Sequence, residues 1–173
     1  FNIDTDKAIA HIDTPYDADI QLYNDSLNQT YFGYGSLGRS KKAAQMTEDF
    51  NSVNQAPAVA TDRAISKSKG NVYLNTTWDL VDGVNAGAVD IKEMDEEELP
   101  EEFKGKTPEE REALLKETEA KRIAYQEKIA ALAVERETFI NDELERRKAE
   151  GEEVDDFGSS VNKSILEKAE EIG

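Results

Sequence analysis

The chain has 173 residues, of which 34% are charged and 38% are apolar, and its net charge is −17. This length suffices for one domain, and the composition favours a modest core beneath a large solvated surface. Residues 1–92 hold 12 acidic and 8 basic residues, whereas residues 93–173 hold 26 and 13. Because so acidic a surface repels phosphate groups, the charge argues against nucleic-acid binding.

Three kinds of feature are missing from the sequence. The chain has no cysteine, which excludes disulfides, thiolate zinc sites and cysteine nucleophiles. No apolar run approaches the roughly 20 residues that a membrane-spanning helix needs. No signal peptide is recognisable, and the chain starts with Phe1. We therefore expect it to be a fragment or a mature product of a longer protein.

The N-terminal residues predict a short strand followed by a capped helix. Residues 1–12 alternate enough between apolar and polar side chains to predict a strand or hairpin. Thr14 has the chemistry of an N-cap, and Pro15 suits the first helical position. Apolar residues then recur at helical spacing up to Gly33 and Gly35, which are expected to end this helix.

Helical spacing predicts three further helices in the first half of the chain, over residues 40–52, 56–67 and 75–82. In the last of them, Thr76 together with Asp79 is expected to form the cap. Trp78, the only tryptophan, is expected to be largely buried against at least one other helix. Val89 and Ile91 suggest a short extended stretch after it.

The second half of the chain predicts an acidic connector followed by one long helix. The connector covers residues 93–106 and should be anchored by Leu99 and Phe103. Thr107-Pro108-Glu109-Glu110 combines a capping box with a proline at the first helical position, which predicts a helix over residues 107–149. Its apolar arc is wider than a coiled-coil seam, so the helix should contact at least two neighbours. A last helix, predicted over residues 159–171, is expected to pack antiparallel on it.

Candidates for catalysis and for metal or cofactor binding are few. His11, the only histidine, lies in the predicted strand, which favours a structural or exposed role. Gly33-x-Gly35-x-x-Gly38 matches the dinucleotide fingerprint but follows a predicted helix, where that motif needs a strand. The aspartates that suggest a calcium loop are Asp4, Asp6, Asp13, Asp17 and Asp19. Their spacing lacks the glycine and the terminal glutamate of an EF-hand, so we assign no metal ligand, cofactor or catalytic residue.

Several motifs along the chain form a recognisable set, namely Phe1-Asn2-Ile3-Asp4, Thr14-Pro15-Tyr16-Asp17, Leu27-Asn28, Thr30-Tyr31, Tyr34-Gly35, residues 76–82, Glu98-Leu99-Pro100 and residues 107–111. Together they resemble the region that follows the von Willebrand factor A domain in certain exported bacterial proteins. The resemblance implies that residues 1–13 are a remnant strand of a preceding A domain and that residues 14–173 form a C-terminal module. It transfers no metal ligand, because the A domain's Asp-x-Ser-x-Ser motif does not occur here.

The sequence thus predicts an all-α module with one long helix in its C-terminal half and a short N-terminal strand or hairpin. The missing cysteine, the unpromising position of the one histidine and the lack of a carboxylate pair in contrasting environments predict no catalysis. The resemblance implies a role in an exported protein (periplasmic, cell-surface or secreted), supporting or presenting the A domain or binding another protein. The residues expected to mediate interaction or packing are Trp78, Tyr16, Tyr31 and Tyr34. Two alternatives stay open. If the chain is an accessory domain of a hydrolase, it should contain a pocket in which polar groups of different kinds converge. If it is a homo-oligomerising helical stalk, its mass in solution should be a multiple of the mass of one chain.

Overall fold

The structure is a computed structural model that describes residues 12–55, 57–70 and 73–151. Its α-helices are α1 (Asp17–Asn28), α2 (Gly35–Gln55), α3 (Pro57–Ser68), α4 (Leu80–Asn85) and α5 (Pro108–Ala149), with a 3-10 helix at Glu101–Phe103. The described residues form no strand, which confirms the predicted all-α class for this part of the chain. His11, the predicted strand residues before Ile12 and the predicted helix over residues 159–171 lie outside the described residues.

The long helix α5 forms as predicted because its start is strongly capped. The Thr107 hydroxyl accepts a hydrogen bond from the Glu110 N–H at 3.2 Å, and the Glu110 carboxylate accepts one from the Thr107 N–H at 2.8 Å. Pro108 occupies the first helical position, where its missing N–H costs nothing. The helix then continues for 42 residues without a break. No helix among the described residues is long and apolar enough to cross a membrane.

Helices α1 and α3 pack side by side along α5. Asp17, at the start of α1, bonds to Arg136, whereas Thr30, just after its end, bonds to Arg122. Helix α1 is therefore antiparallel to α5. Helix α2 packs against α3, and α4 lies against the first half of α5. The prediction that α5 contacts at least two neighbours is thus confirmed.

Two apolar clusters hold these elements together. The first joins α1, α3 and α5 and contains Ile20, Leu27, Tyr31, Ala64, Trp78 and Ile129. The second joins α4, the acidic connector and α5 and contains Leu80, Val81, Ile91, Leu99, Phe103 and Leu115. Trp78 is only 7% exposed, so its predicted burial is confirmed. The connector is anchored by Leu99 and Phe103, as expected.

The cap of α1 differs from the prediction. The Thr14 hydroxyl makes no hydrogen bond; instead the Asp17 carboxylate accepts one from the Thr14 N–H at 2.8 Å. The helix therefore begins at Asp17, after a turn at Pro15 and Tyr16. A carboxylate is a stronger acceptor than a hydroxyl, and this one is also fixed by Arg136.

Gly35 begins a helix instead of ending one. Helix α1 already ends at Asn28, and α2 starts at Gly35, five residues before the predicted start at residue 40. The φ of Gly35 is +65°, a backbone conformation that favours glycine. Its N–H donates to the carbonyl of Glu98 at 2.9 Å, a contact with a distant segment that helical spacing cannot reveal.

The cap of α4 lies at a different residue from the one predicted. Residues 76–78 form turns, and the helix starts at Leu80 with Asp79 as its N-cap. The Asp79 carboxylate accepts from the Asp82 N–H at 3.0 Å, whereas the carbonyl of Thr76 accepts from the Tyr34 hydroxyl at 2.7 Å. Of the short extended stretch expected at Val89 and Ile91, Ile91 instead lies in a turn.

Gly33 and Gly38 lie in direct backbone contact, which gives the glycine-rich segment a packing role. A Cβ on Gly33 would stand 2.3 Å from the carbonyl oxygen of Gly38, and a Cβ on Gly38 would stand 2.4 Å from the carbonyl carbon of Gly33. No strand precedes these glycines in the described chain, as a dinucleotide site of the βαβ type would require.

This contact predicts that Gly38→Ala destabilises the chain by roughly 1–3 kcal/mol, since two backbone segments must separate. Helix propensity alone would predict the opposite, an increase in stability of about 0.5–1 kcal/mol, because alanine favours a helix more than glycine does. Urea unfolding measures the change. Ser36→Ala, at an exposed position of the same helix, is the control and should be close to neutral. A Gly38→Ala chain as stable as the native one would contradict the contact.

Candidate functional site

The structure brings three of the four aromatic candidates together. The rings of Tyr31 and Trp78 lie 6.0 Å apart, and the Tyr34 N–H donates to the carbonyl of Trp78 at 2.9 Å. Tyr16 lies at the other end of α1, where its ring meets Phe139 edge-on at 6.4 Å. Tyr31 and Trp78 are buried, while Tyr16 and Tyr34 are half-buried. These side chains pack the interior of the module more than they form an open surface.

Arg122, which the sequence analysis did not assign, lies at the centre of this group. Its Nε donates to the Thr30 hydroxyl at 3.1 Å, and its two terminal nitrogens donate to Asp79, Asp82 and the carbonyl of Thr30. All five N–H donors of the guanidinium therefore have an acceptor. The same group lies 4.2 Å from the centre of the Tyr31 ring, within cation–π distance.

The two carboxylates that face Arg122 accept hydrogen bonds through both of their oxygens. Asp79 is fully buried and accepts from Arg122 through both oxygens, at 2.7 and 3.1 Å. It also accepts from the N–H groups of Phe32 and Asp82. Asp82 accepts from Arg122 at 2.8 Å and from the Asn75 N–H at 2.8 Å.

Electrostatics at this junction favour a fixed set of charges. Burial opposes the charged form of Arg122, but the hydrogen bonds and the charge of Asp79 outweigh it, so the pKa of the guanidinium is raised. Burial raises the pKa of Asp82. Burial also raises the pKa of the Tyr31 hydroxyl far above its usual value. Because the five donors of Arg122 and the oxygens of Asp79 and Asp82 all have partners within the chain, the junction acts as a clamp that holds residues 30–32 and 79–82 on α5.

Two more arginines of α5 work in the same way. Arg136 donates to Asp17 at 2.8 Å and to Asp62 at 3.0 Å, which ties α1 and α3 to α5. Arg111 donates to the carbonyls of Met94 and Lys106 at 3.2 and 3.1 Å, which ties down the connector. Each arginine is mostly buried, so α5 is anchored by ionic contacts along most of its length.

A second buried ionic cluster joins α1, α2 and α3. Lys67 is 2% exposed and donates to Asp49 and, at 2.7 Å, to the side-chain oxygen of Asn28. Asp49 also accepts from Arg63 and from the Asn28 amide, both at 2.8 Å. Burial lowers the pKa of Lys67. A lysine of this kind can serve as a nucleophile, but neither surface hollow described below includes Lys67.

The pKa of Asp49 predicts how this cluster responds to acid. Burial alone would raise it, but the hydrogen bonds from Lys67, Asn28 and Arg63 lower it below its ordinary value of 3.8. Ionised Asp49 therefore stabilises the fold above that value, and this contribution is lost as the pH falls through the folded-state pKa. We expect the unfolding free energy of the native chain to fall more steeply below about pH 4 than that of Asp49→Asn. Parallel curves from acid-dependent urea unfolding would show that Asp49 has no such role.

Two surface hollows among the described residues are candidate places for a ligand. The first, of about 190 Å³, is lined by basic residues of α2 and by connector glutamates, namely Arg39, Lys42, Glu97, Glu98, Glu101 and Glu102. The second, of about 330 Å³, lies beside Asp13, Asp17 and Pro57. The first hollow is therefore lined by side chains of both charges. Among the described residues, no cluster of three histidines or carboxylates is placed to hold a metal ion.

Comparisons with known proteins add no further information on the site. No protein-family model, no curated protein and no solved structure matches the chain. The resemblance to proteins with a von Willebrand factor A domain therefore rests on its sequence motifs alone.

Proposed function

We propose that the chain is a non-catalytic support and interaction module. It would follow a von Willebrand factor A domain in an exported bacterial protein and help to present that domain. The proposal that the module is non-catalytic rests on one observation: the buried charged side chains bond to groups of the chain itself. Arg122, with all five donors filled, and Asp79, with both oxygens filled, hold segments together and leave no group free to react.

The path of the chain supports an arrangement in which the A domain lies against α5. Asp17 is fixed to Arg136 and Tyr16 to Phe139, so the chain reaches the module beside the later half of α5. Residues 140–149 of α5 continue for about 15 Å past this point, at 1.5 Å per residue. This part of the helix includes the half-buried Ile140 and Leu144. A domain that enters ahead of Ile12 would therefore meet these last turns.

The coding sequence upstream of Phe1 tests the position of the module. An A domain with an intact Asp-x-Ser-x-Ser motif directly before the chain is expected. An unrelated domain in that place would overturn the proposed position.

Calorimetry with calcium and magnesium at moderate salt tests the absence of a built metal site. The acidic surface should attract these ions only weakly, and salt should screen that attraction. A stoichiometric, micromolar and salt-resistant site in the 173-residue chain would contradict the proposal.

A further inference from the structure

The ionic cluster between α1, α2 and α3 brings an amine, a primary amide and a carboxylate into contact. The Nζ of Lys67 donates to the side-chain oxygen of Asn28 at 2.7 Å and also to Oδ2 of Asp49. The same Oδ2 accepts a hydrogen bond from Nδ2 of Asn28 at 2.8 Å. One carboxylate oxygen therefore contacts both the amine nitrogen of Lys67 and the amide nitrogen of Asn28.

The amide of Asn28 is oriented so that its carbonyl group faces the amine. An ionised carboxylate only accepts hydrogen bonds, so the nitrogen of Asn28 must face Asp49 and its oxygen must face Lys67. Because a C=O bond is about 1.2 Å long, the contact at 2.7 Å places Nζ no more than about 3.9 Å from the Cγ of Asn28. Reacting atoms in a near-attack arrangement lie about 3–3.5 Å apart, so little movement is needed for a bond to form.

The surroundings also favour attack of the amine on this carbonyl group. Lys67 is 2% exposed, and burial lowers its pKa, which makes the neutral, nucleophilic amine more accessible. The oxygen of Asn28 also accepts from Nε2 of the buried Gln45 at 3.2 Å. An attacking amine would place negative charge on this oxygen, where the Gln45 donor stabilises it.

The charges of the cluster become balanced if this reaction takes place. Among the described residues, Lys67 and Arg63 both pair with Asp49, so two positive charges share one carboxylate. Conversion of the Lys67 amine into an amide removes one of them and leaves Asp49 paired with Arg63. Because an unmatched buried charge is costly, this change favours the product.

We propose that Lys67 and Asn28 join in an isopeptide bond, with Asp49 as the proton carrier. Asp49 takes a proton from the Lys67 ammonium group, and the neutral Nζ then forms a bond to the Cγ of Asn28. Asp49 passes its proton to Nδ2, and the bond between Cγ and Nδ2 breaks. The nitrogen leaves as ammonia, which takes up the second proton that Nζ loses. The products are one secondary amide and one ammonium ion, and no oxidant or co-reactant is needed.

This bond would connect the last residue of α1 to the last turn of α3 and enclose α2 in the loop between them. The two residues lie 39 positions apart, and a link of this kind stabilises a fold by restricting the unfolded chain. The inference goes beyond the proposed function and does not depend on the preceding domain.

The intact mass of the purified 173-residue chain, measured under denaturing conditions, tests the bond directly. The expected mass is lower than the sequence mass by one ammonia molecule. Proteolysis should release a branched peptide in which the segment containing Asn28 is joined to the segment containing Lys67. The full sequence mass, retained after long incubation of the folded chain near neutral pH, would overturn the proposal.

Three variants separate this bond from other losses of ammonia. Lys67→Arg removes the attacking amine and keeps the charge, whereas Asp49→Asn keeps both reacting groups and removes the proton carrier. Both variants should show the full sequence mass. Lys69→Arg, at an exposed lysine of the following turn, should lose ammonia as the native chain does. Cyclisation of an asparagine to a succinimide also releases ammonia but does not need Lys67, so a loss that persists in Lys67→Arg would contradict the bond. None of these results bears on the proposed function, which the upstream sequence tests separately.

Discussion

Replacing Arg122 with leucine is expected to lower the free energy of unfolding by about 3–5 kcal/mol, since it leaves a buried charge without its partner. Asp79 would keep two backbone donors but lose the opposite charge, and the carbonyl of Thr30 would lose its donor. The Tyr31 ring would also lose the cation above its face. Urea unfolding at neutral pH measures the loss.

An exposed arginine on the same helix provides the matched control. Arg146 is paired with Glu143 and Glu150, but its side chain is 54% exposed. Arg146→Leu should therefore be close to neutral, because exposed ion pairs contribute little to stability. Adding Asp79→Asn to Arg122→Leu should recover part of the stability, because it removes the unpaired charge. If Arg122→Leu and Arg146→Leu cost the same, the clamp does not exist as described.

Trp78→Ala is expected to cost about 3–5 kcal/mol, because it leaves a cavity where loop residues meet α1, α3 and α5. The indole packs against Tyr31 and donates to the Asn75 side chain at 3.0 Å, so the variant loses both apolar contact and a hydrogen bond. Thermal or urea unfolding measures the change. Leu74→Ala is the control: that side chain is 61% exposed, and its loss should be close to neutral.

Fluorescence of the native chain checks the same burial without a mutation. Trp78 is the only tryptophan, so its spectrum reports a single environment. The emission maximum should lie well to the blue of that of the urea-unfolded chain. A solvent-like maximum in the folded chain would contradict the position of the indole.

The elements that sequence reasoning predicted well are those whose signals are local. The capping box at Thr107 and Glu110 and the absence of glycine or proline after Pro108 define α5 by themselves. Helix α3 likewise starts at Pro57, close to its predicted start. The elements predicted poorly depend on distant partners. Asp79 caps α4 while it also binds Arg122, 43 residues away.

The candidate site was found only in part, for a related reason. Large aromatic side chains identified Trp78 as a core residue and Tyr31 as an interaction or packing residue, but charged residues were expected at the surface. One signal for Arg122 was present: it lies seven residues from both Leu115 and Ile129, on the buried face of α5. Lys67 had no comparable signal, because its partners Asp49 and Asn28 come from two other helices.

Hydrogen exchange of the chain joined to the proposed preceding A domain, compared with the 173-residue chain alone, tests most directly whether this module supports that domain. Added protection is expected in the last turns of α5, residues 140–149, because the chain enters the module beside them. Stronger protection there, with the Arg122 junction unchanged, is the result expected of a supporting module. Identical exchange in the two proteins would show that the module does not pack against its neighbour.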